Sequence, residues 1–348
     1  MSSGYVMFSS ALVAGTARNW LRAALICSTA ICTTTVFGES ELYVVNTGAD
    51  SISIINTFNG EVTATLKAPG HLTAIAYNSH DGLLYLPTQE GNGRVYLIDP
   101  ATHAFVADPI KVGAFPGYVT IDPQQQRAYV SNQFGALSVI DTATRAVVAD
   151  IDSVVSPVGS ALSPEQNKLY VVNHQTSAVS VIDTVSNKSI ATLPLGCFNP
   201  LDVKADTVLH KAFVTKGSCP ELAVIDTNTD SVAATITFPG SPQRLPQYIV
   251  VDSASHRAYV SLVWGHEEKG MYGGVAIINT VDNSIIGSVR VGIRPARMAL
   301  DAAANRLYVT DRRGDRILVV DTVHETVLGQ VPVGSDPVGI ALVPARER

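Results

Sequence analysis

The sequence predicts an all-β chain folded as a seven-bladed β-propeller, each blade a four-stranded antiparallel sheet. Three recurring markers carry that expectation. An aromatic residue followed by an apolar one recurs at Tyr43, Tyr85, Tyr129, Tyr170, Phe213, Tyr259 and Tyr308, at spacings of 42, 44, 41, 43, 46 and 49. An apolar run ending in Asp or Asn recurs at Asn56, Asp99, Asp141, Asp183, Asp226, Asn279 and Asp321, and a turn proline at Pro69, Pro116, Pro157, Pro200, Pro242, Pro295 and Pro337. Self-similarity at this period, with four short strands per unit, is how propeller blades are written.

One unit shows the order of elements. Val158 to Leu162 is a first strand, residues 163–167 (Ser-Pro-Glu-Gln-Asn) a turn, and Lys168 to Val172, Ala178 to Ile182 and Ser189 to Leu193 the next three strands. The runs are rich in Val, Ile, Tyr and Thr and bounded by Asn, Asp, Gly, Ser or Pro, which are strand and turn signals. No ten-residue stretch carries a 3.6-residue period, so helix is expected to be nearly absent. The repeat is also out of phase. Its first strand-like run, Leu42 to Asn46, is a second strand, and the last, Val338 to Val343, is a lone first strand. Free sheet edges are a liability, so these two runs are expected to share blade 1 and close the ring.

Apolar residues make up 46% and charged residues 16%, which excludes a disordered chain. With 24 basic against 30 acidic side chains the net charge is -6, and no basic excess exists to attract nucleic acid. Residues 1–38 read as a signal peptide: Arg18 and Arg22 precede the apolar run Ala23 to Val36, and Val36 and Gly38 supply small residues for cleavage. That run is shorter than the roughly 20 residues of a membrane span; an uncleaved anchor is the competing reading, and Met7 an alternative start. Residues 39–348 are then one propeller domain, expected to be secreted or periplasmic, monomeric and without a membrane span.

The segments Tyr129-Val130-Ser131-Asn132, Tyr170-Val171-Val172-Asn173 and Tyr308-Val309-Thr310-Asp311, each followed by a run of the Val-Ile-Asp-Thr kind, resemble the YVTN-type β-propeller repeats of secreted and surface-layer proteins, YncE-like periplasmic propellers among them. The resemblance spans nearly all of the chain after residue 40. It implies a fold and a location more than a chemistry, because similar repeats serve stand-alone periplasmic propellers, surface-layer proteins and the propeller subunits of amine dehydrogenases.

Propeller geometry sorts the residues by face. The loop leading into a blade's first strand and the loop between its second and third strands lie on the upper face, where propeller ligands usually sit near the channel. The Asp series at the ends of third strands is expected to serve as turn residues that accept their own downstream N–H groups. His80, His103, His210, His256 and His324 fall on the lower face as solvated residues, whereas His71, His174 and His266 belong to upper loops. Arg244, Arg294, Arg297 and Arg312 gather in the upper loops of blades 6 and 7, beside Arg313. Such a cluster suits a carboxylate or phosphate; alternatively it pairs with Asp311, Asp315, Glu267 and Glu268. Lys216 departs from the neutral polar residues that hold the equivalent position in blades 1 to 4.

Blade 6 is longer by an insertion: Tyr259 to Asn279 spans 20 residues where other blades take 12 to 14. Trp264, His266, Glu267 and Tyr272 lie there among Gly265, Gly270, Gly273 and Gly274, which reads as a recognition loop or lid with glycine hinges. Cys197 and Cys219 fall on the same face of blade 5 and are expected to form a disulfide in an oxidising compartment. No haem, dinucleotide, P-loop or nucleophile-elbow motif is present, and no metal or other cofactor is expected. The favoured function is a binding or scaffold protein presenting its top face to a small anionic ligand or a protein partner, with Arg244, Arg294, Arg297, Arg312, Lys216, Trp264 and His174 as ligand-binding residues. The alternative is an enzyme: a hydrolase or lyase using His71, His266 or Glu267 as base, or a propeller subunit of a periplasmic dehydrogenase.

Overall fold

The computed structural model describes residues 39–240, 244–266 and 270–345. The signal segment expected at 1–38, the turn residue Pro242 and the candidate base Glu267 lie outside the described residues.

Seven antiparallel sheets form the propeller, and blade 1 unites both ends of the chain in the order Pro337–Val343, Glu41–Asn46, Ser51–Asn56, Val62–Lys67. In that seam Leu42 lies opposite Leu342 and Val44 opposite Ile340. The innermost strands of blades 2 to 7 are Ala76–Tyr77, Pro116–Asp122, Pro157–Ser163, Pro200–Asp206, Leu245–Asp252 and Pro295–Asp301. Helix among the described residues is limited to single 3-10 turns at Thr47–Ala49 and Pro164–Gln166. Blade 2 departs from the pattern because its outer strand is broken into Ala104–Phe105 and Ile110–Lys111, both paired with Arg94–Asp99. Ala107 takes a left-handed conformation there (φ 58°) and Pro109 has no N–H to donate, so the ladder cannot run through.

The seven marker aromatics are at most 3% exposed, and the core they build lies between blades as much as within them. Tyr170 and Val172 of blade 4 pack with Val203, Val214 and Ile225 of blade 5, and Tyr308 of blade 7 packs with Leu42, Val44 and Ile55 of blade 1. The basic residue two before the aromatic reinforces these contacts. Lys168 Nζ donates to the Thr227 carbonyl (2.9 Å), Lys211 Nζ to Thr280 (2.7 Å), Arg257 Nη1 to Thr322 (2.8 Å) and Arg306 Nη1 to Thr57 (2.7 Å), each in the lower turn of the next blade. The last of these bonds crosses the seam.

The Asp series caps its own turns: Asp141 Oδ1 accepts from the Ala143 and Thr144 N–H groups, and Asp226 Oδ1 from Asn228 and Thr229. Two lower-face histidines are bonded rather than simply solvated. His103 Nε2 reaches Glu41 of blade 1 at 3.0 Å, and His324 Nδ1 reaches Asp321 at 2.9 Å.

The strand register corrects the proline marker. The residue three after each aromatic pairs with Pro337, Pro116, Pro157, Pro200 and Pro295 in blades 1, 3, 4, 5 and 7, but with Leu72 in blade 2 and Pro246 in blade 6. The repeated position is therefore held by Leu72 in blade 2 and by Pro246 in blade 6.

Candidate functional site: the mouth of the central channel

With the register corrected, the residue two beyond the repeated position forms a ring on the innermost strands, or in blade 2 just before that strand: Gly339, Ala74, Tyr118, Gly159, Asp202, Tyr248 and Arg297. The small members are required by their surroundings. A Cβ on Gly159 would stand 2.7 Å from Asp202 Cα, and one on Gly339 would stand 3.2 Å from Ala74 Cα. The other four positions, in blades 3, 5, 6 and 7, carry Tyr118, Asp202, Tyr248 and Arg297. Tyr118, Tyr248 and Arg297 line both an upper cup of about 300 Å³ and a lower chamber of about 370 Å³, so their layer divides the channel.

The chemistry of that layer follows from its contacts. The Arg297 guanidinium lies 4.4 Å from the Tyr118 ring centroid and 5.0 Å from that of Tyr248, within the range where a cation is attracted to a ring face. It makes no hydrogen bond with the described residues, and its Nε is enclosed without a partner. Lys204, by contrast, is committed. Its Nζ donates to the Tyr118 hydroxyl and, at 3.3 Å, to Asp202 Oδ1, while the Tyr118 hydroxyl donates to the same carboxylate at 3.0 Å. Burial, with Asp202 beside it, raises the Tyr118 pKa against the pull of Lys204 and Arg297, so the phenol keeps its proton. Burial also works against the charge of Lys204, but Asp202 and Tyr118 outweigh it and leave its pKa above the usual lysine value. Two cations and one carboxylate share the layer, and the uncompensated charge belongs to Arg297.

Of the residues expected to bind a ligand, Arg297 and Arg312 line the cup, and so does His71, a candidate base of the enzyme alternative. Arg312 holds Asp336 bidentately, Nε to Oδ1 at 2.6 Å and Nη2 to Oδ2 at 2.8 Å, which raises its own pKa and lowers that of the carboxyl. Its partner was not among the acids considered from sequence, because Asp336 sits in the turn before the closing strand. Asp311 is taken instead by Arg316 at 3.0 Å and by the backbone N–H groups of Ile293 and Arg294. The Arg294 side chain is half-buried near Arg312 and Arg313; burial, then those two like charges, lower its pKa.

The remaining candidates lie elsewhere. Lys216 is buried and bonded to Glu221 at 3.0 Å, the charged counterpart of the bonds by which Asn46 and Asn173 hold Ser53 and Ser180 in their own blades. His174 Nδ1 donates to the Pro200 carbonyl (3.1 Å), and the residue lines a separate open groove of about 780 Å³ with Phe134, Val155 and Phe198. Arg244 stacks on Trp264 at 5.1 Å. Cys197 and Cys219 form a disulfide, with Cα atoms 6.3 Å apart. Among the described residues no three His, Cys, Asp or Glu side chains come together as a metal-binding group.

The blade 6 insertion is not the hinged loop expected from its glycines. It extends the hairpin as paired strands, Arg257–His266 with Gly270–Asn279, in which Trp264 faces Tyr272 and His266 faces Gly270. Gly265 takes a φ of 102°, which favours glycine, whereas Gly273 and Gly274 answer to packing. A Cβ on Gly274 would meet the Trp264 ring at 2.8 Å, and one on Gly273 would meet Pro295 Cδ at 1.9 Å.

Tyr118, Asp202, Lys204 and Tyr248 were missed by sequence reasoning. For all but Lys204 the signal was available in the column two after the repeated position, where three blades carry Gly or Ala and four carry Tyr, Asp or Arg; Lys204 lies two residues further along its strand.

No protein-family model and no curated protein sequence matches the chain. Solved structures do. A functionally unknown protein from Desulfotomaculum acetoxidans is 16% identical, with 88% of this chain and 99% of that one aligned at a TM-score of 0.70. Hydrazine synthase of Kuenenia stuttgartiensis is 17% identical over 78% of this chain and 89% of that one, TM-score 0.69. Apo AztD from Citrobacter koseri is 16% identical over 90% of this chain and 100% of that one, TM-score 0.59. At these identities what this chain has in common with them is the propeller fold.

Proposed function

We propose that residues 39–348 are a secreted or periplasmic propeller of the YVTN-repeat type, delivered by the segment 1–38, that binds a small anionic ligand in the upper cup of its channel. The observation that carries this reading is Arg297: a guanidinium stacked between two tyrosines, in contact with the cup, and not ion-paired with any carboxylate among the described residues. A structural arginine in a channel would be expected to find an acid, as Arg312 does in Asp336. Arg294 adds positive potential nearby, and the Cys197–Cys219 disulfide fits an oxidising compartment.

Calorimetric titration of the purified chain with acetate and with inorganic phosphate tests the reading. Arg297→Gln is expected to weaken whichever anion binds by roughly 10- to 100-fold, the scale of a charge-assisted hydrogen bond. Its melting temperature should stay within a few degrees, since no hydrogen bond of the fold is lost. Unchanged affinity in the variant would remove Arg297, and with it this function.

A further inference from the structure

We infer that the ligand of the cup is a small polyhydroxylated carboxylate, of the hexuronic or aldonic acid class; the inference rests on the anion-binding reading above. The wall around Arg297 is polar, yet most of it carries no charge. Gln89 Nε2 donates to Gln133 Oε1 at 3.1 Å, which leaves the Gln89 oxygen and the Gln133 amide as an adjacent acceptor and donor, the complement of two neighbouring hydroxyls. The Thr47 hydroxyl donates to the Leu72 carbonyl (2.9 Å) and the Thr73 hydroxyl to that of Gly117 (3.5 Å), so each oxygen keeps its lone pairs for an incoming O–H. Asp336 receives two N–H groups from Arg312, one on each oxygen, and each oxygen retains a further lone pair.

A cup built only to hold acetate or phosphate has little use for so many acceptors. One guanidinium surrounded by hydroxyl-reading groups matches a ligand with one acid and several alcohols. The single uncompensated charge of the dividing layer suits a monoanion better than a dianion. A volume of about 300 Å³ lies at the lower limit of small-molecule sites and suits one six-carbon unit rather than an oligosaccharide.

The test is calorimetry on the full chain with D-glucuronate, D-gluconate, acetate, inorganic phosphate and D-glucose. At least one of the two sugar acids should bind about tenfold or more tighter than acetate or phosphate, with glucose far weaker than either acid. Gln133→Ala should lower sugar-acid affinity by roughly 3- to 10-fold, one neutral hydrogen bond, and leave acetate affinity unchanged, with thermal unfolding confirming that the variant folds. Equal binding of acetate or phosphate and both sugar acids overturns this inference while leaving the anion site intact. Glucose binding as tightly as glucuronate, or no binding by any probe, overturns both.

Discussion

Asp202 is where the channel layer can be tested most sharply. Every group that faces its carboxylate is a donor: the Tyr118 hydroxyl and Lys204 Nζ on Oδ1, and the Ile249 N–H on Oδ2 at 3.2 Å. In Asp202→Asn, either orientation of the amide sets its NH₂ against a donor. A buried unmatched donor costs about 1–3 kcal/mol, and the lost charge-assisted bond to Lys204 about 1.5–3 kcal/mol before screening. Asp202 is only 2% exposed, but the Lys204 side chain is 31% exposed, so the second contribution is discounted for solvent. The expected loss is about 3 kcal/mol in urea denaturation, or roughly 4–8 °C in melting temperature. Asp202→Asn/Lys204→Met should recover part of it, because the stranded ammonium is gone. The single variant also raises the net charge of the layer by one, so the cup should bind anions more tightly while the fold weakens. A stability within about 0.5 kcal/mol of the parent would mean that Asp202 does not hold this network, and the charge accounting for Arg297 would fall with it.

Two further outcomes follow from the packing. Gly273→Ala places a methyl group 1.9 Å from Pro295 Cδ and 2.9 Å from the Val291 carbonyl, and overpacking of this kind costs about 1–3 kcal/mol. Gly135→Ala, whose Cβ meets nothing nearer than 3.9 Å, is the control; equal unfolding midpoints for the two would restore the hinged-loop reading of blade 6. The interblade tyrosines set an alkaline limit. Burial pushes Tyr129 up to about 12 and also raises Tyr259 and Tyr308, so their neutral phenols stabilise the fold fully below pH ~10, the unfolded value, and that contribution is lost as pH rises toward the folded values. Ultraviolet absorbance and circular dichroism followed together should show one class of phenol ionising near pH ~10 and another ionising only as the chain unfolds; a single class would contradict the burial.

The fold was legible because the markers that specify it repeat. Tyr43 and its six counterparts are buried in every blade for one reason, the packing of each blade on the next, and one reason repeated seven times leaves a period in the sequence. Ring closure was legible from phase alone. The ligand site was harder to see because a site departs from the repeat, and a departure is visible only when the columns are aligned correctly. Taking Pro242 rather than Pro246 as the blade 6 marker moves Tyr248 out of its column, and Pro69 in place of Leu72 does the same to Ala74. Arg297 was noticed for its charge. Its stacking partners Tyr118 and Tyr248, some 180 and 49 positions away in the chain, come to it only through the circular arrangement of blades. The glycines of blade 6 misled for a related reason: sequence shows that a side chain is missing, but not whether backbone freedom or a neighbour such as Pro295 requires it.

The meeting of the two ends in blade 1, where the Ala345 N–H donates to Ser40 Oγ at 3.1 Å, makes the starting point of this polypeptide an accident of the gene rather than of the architecture. A short peptide joining the neighbourhood of residue 345 to residue 39 would leave new ends free to be cut in another lower turn, such as that at 184–187, between strands that are already paired. Circular permutants of this kind would relocate the hydrogen-bonded closure from blade to blade while leaving Arg297 and its two tyrosines untouched.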